Sequence, residues 1–273
     1  MKTTSTRRPA FTLVEMLVVI LIMSILVTLV TLGVTRAMRF ASEVGTKTEM
    51  AQIEQALGVA ALDLGRVPYI PSILYLWDTP GNAQTDIAAE GNATVKSFKQ
   101  MSLRMLKQMF PNWTSATWPT SSLNATQAYV FILGGRGGNE GFHATNGDPW
   151  AAGGKRKGPY FNFKQERLNS SNYTFKDYWN NDTFLVVYSS QMVASGTTPN
   201  SGETPPGYPS RQSPKSNVLY MPKGYQIFSA GKDGKWGTSY PATGTAFNGL
   251  LTGDGEDDQC NFSESPLGKP IND

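Results

Sequence analysis

The sequence predicts an α+β protein in which one long N-terminal helix packs on a small antiparallel β-sheet domain. The segment Met16–Thr35 carries no charge and is rich in Leu, Val and Ile, and apolar residues recur at helical spacing after it. The chain also contains 27 glycines and 17 prolines, which indicates a loop-rich, β-containing body and not a helical bundle.

The apolar segment is long enough to cross a membrane. At about 1.5 Å per helical residue, Met16–Thr35 spans a bilayer core of roughly 30 Å. Lys2, Arg7 and Arg8 precede it, so we expect a cytoplasmic N-terminus and an exported body. These residues predict a single-pass membrane protein.

Two other interpretations of this segment stay open. A secretory signal peptide has an apolar core of about 7–15 residues followed by a small-x-small cleavage site. Here the apolar run is longer, and Thr35 and Arg36 before Ala37 make a poor site. A plain signal anchor, which is never cleaved, is the second alternative.

A carboxylate stands at the start of the apolar segment, in the run Phe11-Thr12-Leu13-Val14-Glu15. Such a group is costly in a membrane unless it has a partner or reaches the interface. With the basic leader before it, this run resembles the N-terminus of the type IV pilin and type II secretion pseudopilin family. The resemblance implies that a prepilin peptidase cuts between Ala10 and Phe11 and methylates the new amine. It also implies that Glu15 pairs with the amine of a neighbouring subunit. Ala10 stands where the family usually has Gly.

The predicted organisation has three parts: a basic leader over residues 1–10, a membrane and stalk helix over residues 11–64, and an exported globular domain over residues 65–273. Gly65 is a suitable helix stop, with Pro68 close behind. Apolar residues at helical spacing support the stalk half: Met50, Ile53, Leu57, Ala60, Ala61 and Leu64.

Within the body, Val95–Met109 predicts an amphipathic helix whose methionines form a core stripe. Segments rich in β-branched and aromatic residues predict strands at Ala128–Leu133, Thr183–Tyr188 and Tyr225–Ser229. The segment Ser195–Pro214 is dense in Ser, Gly, Thr and Pro, which predicts a loop or insertion.

The sequence gives little support for an enzyme. The glycine-rich segment Gly134–Gly141 lacks the Gly-Lys-Ser/Thr of a phosphate-binding loop, so we expect a turn between strands. No G-x-S-x-G motif is present. His143 is the sole histidine, which excludes most histidine-dependent catalytic designs, and Cys260 is the sole cysteine, which excludes an intrachain disulfide and a Cys-based zinc site.

Net charge gives no case for a nucleic-acid partner. The formal charge of +3 equals the contribution of Lys2, Arg7 and Arg8, which lie in the leader. The dense basic cluster Lys155–Lys157 is typical of a solvated loop.

The C-terminal region is rich in Asp and Gly. The run Ser229–Gly237 and the acidic segment Gly253–Asp258 together resemble the C-terminal loop of the major pseudopilins, where Asp side chains and backbone carbonyls hold calcium. The alternative is that Asp233-Gly234 forms a hairpin turn and the acidic segment is a solvated end. The resemblance implies calcium as a cofactor and four candidate ligands: Asp233, Asp254, Asp257 and Asp258.

The predicted function is therefore a non-enzymatic structural subunit of a type II secretion pseudopilus or a type IV pilus-like filament, nearest to the major pseudopilin. The expected partners are copies of itself, other pilin-like subunits, the prepilin peptidase and an inner-membrane assembly platform. The expected location is the bacterial inner membrane, with the body in the periplasm or in an extracellular filament. A minor tip subunit that acts as an adhesin or ligand-binding module is the alternative, and a membrane-anchored hydrolase is a third, weaker one.

Overall fold

The computed structural model describes residues 13–65, 70, 73–179, 185–188, 224–235, 253–261, 263 and 266. The chain divides into two compact units, residues 1–44 and residues 45–273. The described part combines four α-helices with short antiparallel sheets, which confirms the predicted α+β class. The predicted domain boundary at residue 64 stays a prediction.

Helix α1 covers Leu13–Asp63. Of the helices in the described residues, it is the one that is long and apolar enough to cross a membrane. In the first unit its large apolar side chains, from Leu13 to Val34, are exposed. In the second unit it buries a stripe at helical spacing that includes Met50, Ile53, Leu57 and Ala60. The predicted stalk half is therefore confirmed as helix.

Gly65 follows the end of α1 and has a φ of +87°, a conformation that favours glycine. A Cβ at this position would lie 2.7 Å from the backbone oxygen of Gln108. The helix stop predicted at Gly65 agrees with this geometry, because only glycine fits both the backbone angle and the close approach.

Helices α2, Pro80–Ala89, and α3, Ala93–Met109, follow in the body. Lys99 of α3 pairs with Asp86 of α2 at 2.9 Å and with Glu90 at 3.0 Å, so the two helices are joined by a small ionic cluster. The hydrogen bond from Lys99 lowers the pKa of Asp86. The predicted helix ending at Met109 is confirmed and begins two residues earlier than expected.

Helix α4, Ala125–Gly134, replaces the strand predicted at Ala128–Leu133, so that prediction is wrong. Asn124 caps this helix: its Oδ1 accepts the N–H of Gln127, and the Gln127 side chain accepts the N–H of Asn124. Every residue from 128 to 133 is buried. A helix buried on all sides shows no polar and apolar alternation, so its β-branched and aromatic composition suggested a strand.

The glycine-rich segment Gly134–Gly141 follows helix α4 and is not a turn between two strands, which corrects the second prediction for this region. Gly135 has a φ of +65°, and a Cβ there would lie 2.3 Å from the carbonyl carbon of Gly141. Arg136 Nη1 lies 2.7 Å from Glu140 Oε2 across the loop. These contacts explain the glycines by close backbone approach within the loop.

Strand β8, Tyr225–Ser229, has the predicted bounds and is buried along its length. It pairs antiparallel with β7, Leu185–Tyr188, the described part of the strand predicted at Thr183–Tyr188, and with β9, Gln259–Cys260. The predicted loop Ser195–Pro214 lies outside the described residues. The other described strands form antiparallel pairs: β1 Ile73–Tyr75 with β2 Ser122–Asn124, β3 Phe142–His143 with β4 Arg156–Lys157, and β5 Leu168–Asn169 with β6 Thr174–Phe175.

Candidate functional site

The N-terminal end of α1 carries the predicted assembly carboxylate. Glu15 lies in the first turn of the described helix and is exposed. A negative charge in the first turn interacts favourably with the helix dipole. Ala10 and Phe11, the predicted cleavage pair, lie outside the described residues. The structure therefore places Glu15 on a helix, and its pairing with the Phe11 amine of a neighbouring subunit stays a prediction.

Four hydroxyl side chains interrupt the apolar part of α1. Each donates to a carbonyl oxygen of its own helix, as Thr28 does to Ser24 at 2.8 Å and Thr31 to Val27 at 2.8 Å. Ser24 and Thr35 bond to Ile20 and Leu32 in the same way. In a lipid environment every polar group needs a partner, and these bonds supply one within the helix. The hydroxyls are thus compatible with a membrane span.

In the second unit, a buried ion pair joins α1 to the body. Two guanidinium nitrogens of Arg167 donate to the two carboxylate oxygens of Glu49, with Nη1 at 3.0 Å from Oε2. Arg167 Nη1 also donates to the carbonyl oxygen of Lys176 at 2.9 Å. The side chains of Arg167 and Glu49 are 13% and 6% exposed. This is the bidentate geometry that makes an Arg–carboxylate pair strong and specific.

Two aromatic rings enclose the same guanidinium. Its central carbon lies 4.5 Å from the ring centroid of Phe175 and 4.4 Å from that of Tyr178. Burial by itself would lower the pKa of Arg167, but the hydrogen bonds and charge of Glu49 outweigh burial, so the pKa lies above its ordinary value. Gly45 of α1 lies against Tyr178, since a Cβ at Gly45 would be 2.9 Å from the ring. Sequence analysis missed this cluster.

The C-terminal end of α1 has a second attachment to the body. The hydroxyl of Tyr160 donates to the carboxylate of Asp63, and Lys157 Nζ donates to the carbonyl oxygen of Asp63 at 3.1 Å. Burial, together with the Asp63 carboxylate, raises the pKa of Tyr160. Lys157 of the basic cluster is therefore engaged with a helix C-terminus, where a positive charge is favourable.

The acidic segment and the turn after β8 do lie together. Asp257 Oδ2 accepts the backbone N–H groups of Lys232 at 2.6 Å and Asp233 at 2.9 Å. Gly231 has a φ of +65°, and a Cβ there would lie 2.2 Å from the carbonyl oxygen of Asp257. Two of the four predicted ligands, Asp233 and Asp257, thus belong to one loop.

The other two predicted ligands, Asp254 and Asp258, also belong to the acidic segment. Asp258 is fully buried just before β9, and the backbone of Asp254 lies in a 3-10 turn over Gly253–Gly255. In the part of the chain that the structure describes, no group of three His, Cys, Asp or Glu side chains is arranged around a common point. Carboxylate oxygens are the donors that calcium prefers, so the chemistry of Asp233 and Asp257 fits this ion.

Asn261, the residue that follows β9, contacts α1. Asn261 Nδ2 donates to Glu54 Oε2 and to the carbonyl oxygen of Tyr225, each at 2.9 Å, while Asn261 Oδ1 accepts the N–H of Ile227 at 3.0 Å. The Asn261 amide thereby continues the β8–β9 ladder and reaches the helix. Spacing along the chain gives no signal for this contact, because the paired residues are far apart in sequence.

His143 and Arg156 have structural contacts. Backbone N–H groups of Thr145 and Asn146 donate to His143 Nδ1, at 3.3 and 3.0 Å. Arg156 donates to the carbonyl oxygens of Glu140, Gly141 and Ala151, at 2.8, 3.1 and 2.6 Å. These bonds hold the loops around β3 and β4 together.

Comparison with known families gives one match. The family described as "Prokaryotic N-terminal methylation motif" matches residues 6–31, which include Ala10, Phe11 and Glu15. No curated protein and no solved structure matches the chain. This motif is the N-terminal signal of type IV pilin-like and pseudopilin precursors, which a prepilin peptidase processes. The match does not extend into the body.

Proposed function

We propose that this protein is a non-enzymatic structural subunit of a type II secretion pseudopilus or a type IV pilus-like filament. The observation that carries the proposal is the methylation motif at residues 6–31. It is joined to a helix with an exposed apolar surface from Leu13 to Val34 and with Glu15 in its first described turn. A soluble body would bury such a surface, whereas a membrane or a bundle of identical helices covers it.

In this proposal α1 has two tasks. Its apolar half anchors the precursor in the inner membrane, with Lys2, Arg7 and Arg8 on the cytoplasmic side. Its second half belongs to the exported body, where the Glu49–Arg167 pair attaches it. The assembly platform and neighbouring subunits are then expected to contact the apolar half of α1.

Processing provides the direct test. In cells that contain a prepilin peptidase, we expect the membrane-extracted protein to begin at Phe11 with a methylated amine, because the peptidase cuts after a small residue. Intact mass and N-terminal sequencing measure this. An Ala10→Leu variant, which puts a bulky side chain at the cut, is expected to keep the leader. Retention of Met1 by the unaltered protein, or a start near Met38, would rule the proposal out.

Three of the described tryptophans do not favour the tip-subunit alternative. Trp113, Trp118 and Trp150 make ring contacts with one another or with Phe131 inside the body. Aromatic side chains used in this way contribute to the core and are not displayed for a ligand. The alternative therefore gains no specific support from these residues.

We also propose that the loop containing Asp233 and Asp257 binds calcium. The support is the contact between the two segments: Asp257 Oδ2 accepts the backbone N–H of Asp233 at 2.9 Å, so the two residues are neighbours. Backbone carbonyls of this glycine-rich turn would supply further oxygen ligands. Asp254 and Asp258 are the remaining candidate ligands.

Calcium should raise the melting temperature of the full-length protein in detergent, and a chelator should lower it. At 100 times the dissociation constant, a ligand that binds only the folded state adds about 2.7 kcal/mol to the free energy of unfolding. Asp233→Ala is expected to remove the shift, whereas Glu166→Ala, a change at an exposed carboxylate elsewhere, is expected to keep it. An equal calcium shift in Asp233→Ala and the unaltered protein would contradict the site.

A further inference from the structure

A buried carboxylate lies behind the proposed calcium loop, the loop that contains Asp233 and Asp257. Asp177 is 1% exposed and contacts Ser229, the last residue of β8, which is also buried. Asp177 Oδ2 accepts a hydrogen bond from the Ser229 hydroxyl at 2.6 Å, and Asp177 Oδ1 accepts the backbone N–H of Trp179 at 2.9 Å. A buried charge is costly unless it is hydrogen-bonded, so its presence at this place needs a reason.

The hydrogen bond between Asp177 and Ser229 fixes the direction of the serine hydroxyl. A hydroxyl group can rotate and can both donate and accept, whereas an ionised carboxylate only accepts. The distance of 2.6 Å lies in the range of a charge-assisted bond from a hydroxyl to a carboxylate, about 2.5–2.7 Å. The proton of the Ser229 hydroxyl therefore points to Asp177, and the lone pairs of Ser229 Oγ are left for another donor.

That donor is the first backbone N–H group of the calcium loop. The N–H of Gly231 donates to Ser229 Oγ at 3.3 Å, and Gly231 has the φ of +65° with which the chain turns away from β8. After this turn, the N–H groups of Lys232 and Asp233 both donate to Asp257 Oδ2. The loop is thus held at its start by Ser229 and on its other side by Asp257.

The same hydrogen bonds engage one oxygen of each candidate ligand. Asp233 Oδ1 accepts the backbone N–H of Lys235 at 2.8 Å, and Asp257 Oδ2 accepts the two N–H groups of the loop. Among the residues that the structure describes, the second oxygen of each carboxylate has no hydrogen bond. Calcium takes carboxylate oxygens at about 2.3–2.6 Å, so its affinity depends on how firmly the loop orients these two oxygens.

We propose that Asp177 is a positioning residue for the calcium loop and acts through Ser229 and the N–H of Gly231. It is not itself a ligand, because both of its oxygens are hydrogen-bonded and its side chain is buried. Its task is to hold the backbone in the conformation in which Asp233 and Asp257 are neighbours. Loss of a residue that orients metal ligands typically weakens metal binding about 10–100-fold. The inference rests on the calcium site under the proposed function.

Calcium titration of the full-length protein in detergent tests the positioning role. Ser229→Ala removes the oxygen that accepts the N–H of Gly231. Asp177→Asn offers one accepting oxygen to two donors, the Ser229 hydroxyl and the Trp179 N–H. Each variant is expected to raise the Kd for calcium about 10–100-fold by isothermal titration calorimetry. The double variant should bind about as tightly as the weaker single variant, because both changes interrupt one chain of hydrogen bonds.

Ser102→Ala is the matched control for a loss of stability alone. Ser102 of α3 is fully buried, and its Oγ accepts the N–H of Tyr75 at 3.1 Å and donates to the carbonyl oxygen of Phe98 at 2.9 Å. Its removal should lower the Tm measured in chelator, as Ser229→Ala does, but leave the Kd for calcium unchanged. A lower Tm with an unchanged Kd in Ser229→Ala and Asp177→Asn would overturn the proposal.

The calcium site and the positioning role can be told apart in the same titrations. If the unaltered protein binds no calcium, the site is wrong and the positioning role falls with it. If the unaltered protein binds calcium and Asp233→Ala abolishes binding, the site stands. In that case, Asp177→Asn and Ser229→Ala proteins that bind as tightly as the unaltered protein would show that the positioning role alone is wrong.

Discussion

Replacing Arg167 with methionine is expected to lower the free energy of unfolding by about 3–5 kcal/mol, the usual effect of removing one partner of a buried ion pair. The substitution leaves the carboxylate of the buried Glu49 without its counter-charge. It also removes the donor to the carbonyl oxygen of Lys176 and the cation between the rings of Phe175 and Tyr178. Denaturant unfolding of the full-length protein in detergent measures the change.

Two further variants separate this cause from a general loss of packing. The double variant Glu49→Leu with Arg167→Met replaces the whole pair by apolar side chains, so it should regain most of the lost stability. Glu140→Gln alters the partly exposed pair with Arg136, and such pairs contribute only about 0.2–1 kcal/mol. If Arg167→Met loses no more stability than Glu140→Gln, the buried pair does not hold α1 to the body.

Glu15→Ala is expected to leave expression, membrane insertion and leader cleavage unchanged but to prevent incorporation into filaments almost completely. Cleavage would create an amine at Phe11 among packed apolar helices. A carboxylate four residues further along lies about 6 Å down the helix axis, within reach of the amine of a staggered neighbour. Each charge alone opposes packing in an apolar environment, whereas the pair favours one register. Immunoblots of sheared filaments and of the membrane fraction measure the outcome.

A purely local role for Glu15 predicts something different. A negative charge in the first described turn stabilises the helix by about 0.3–1 kcal/mol through its interaction with the helix dipole. This effect is too small to abolish assembly. Ser24→Ala, a change at another polar residue of the same segment whose hydroxyl bonds within the helix, is the matched control and should assemble normally. Normal assembly of Glu15→Ala would show that the carboxylate has no assembly role.

Local patterns in the sequence were sufficient for several elements. Helix α1 follows from an apolar run longer than a bilayer and a stripe at helical spacing, and β8 follows from a compact β-branched and aromatic run between turn residues. The N-terminal motif was recognisable because its chemistry depends on residues adjacent in sequence, from Ala10 to Glu15. Helix α4 was not predicted, because a fully buried helix has no polar face and its β-branched composition favours a strand. The local signal for a helix was the capping pair of Asn124 and Gln127.

The sequence by itself therefore determined a membrane-length helix with an N-terminal motif and the α+β class of the body. Only the tertiary structure decided how the stalk half of α1 is held. Glu49 and Arg167 are 118 residues apart, and Asn261 and Glu54 are 207 residues apart. No local period encodes such contacts, because burial of a charge becomes favourable only when the fold brings its partner to it. The same contacts attach the buried Glu49 and the half-buried Glu54 of α1 to the body.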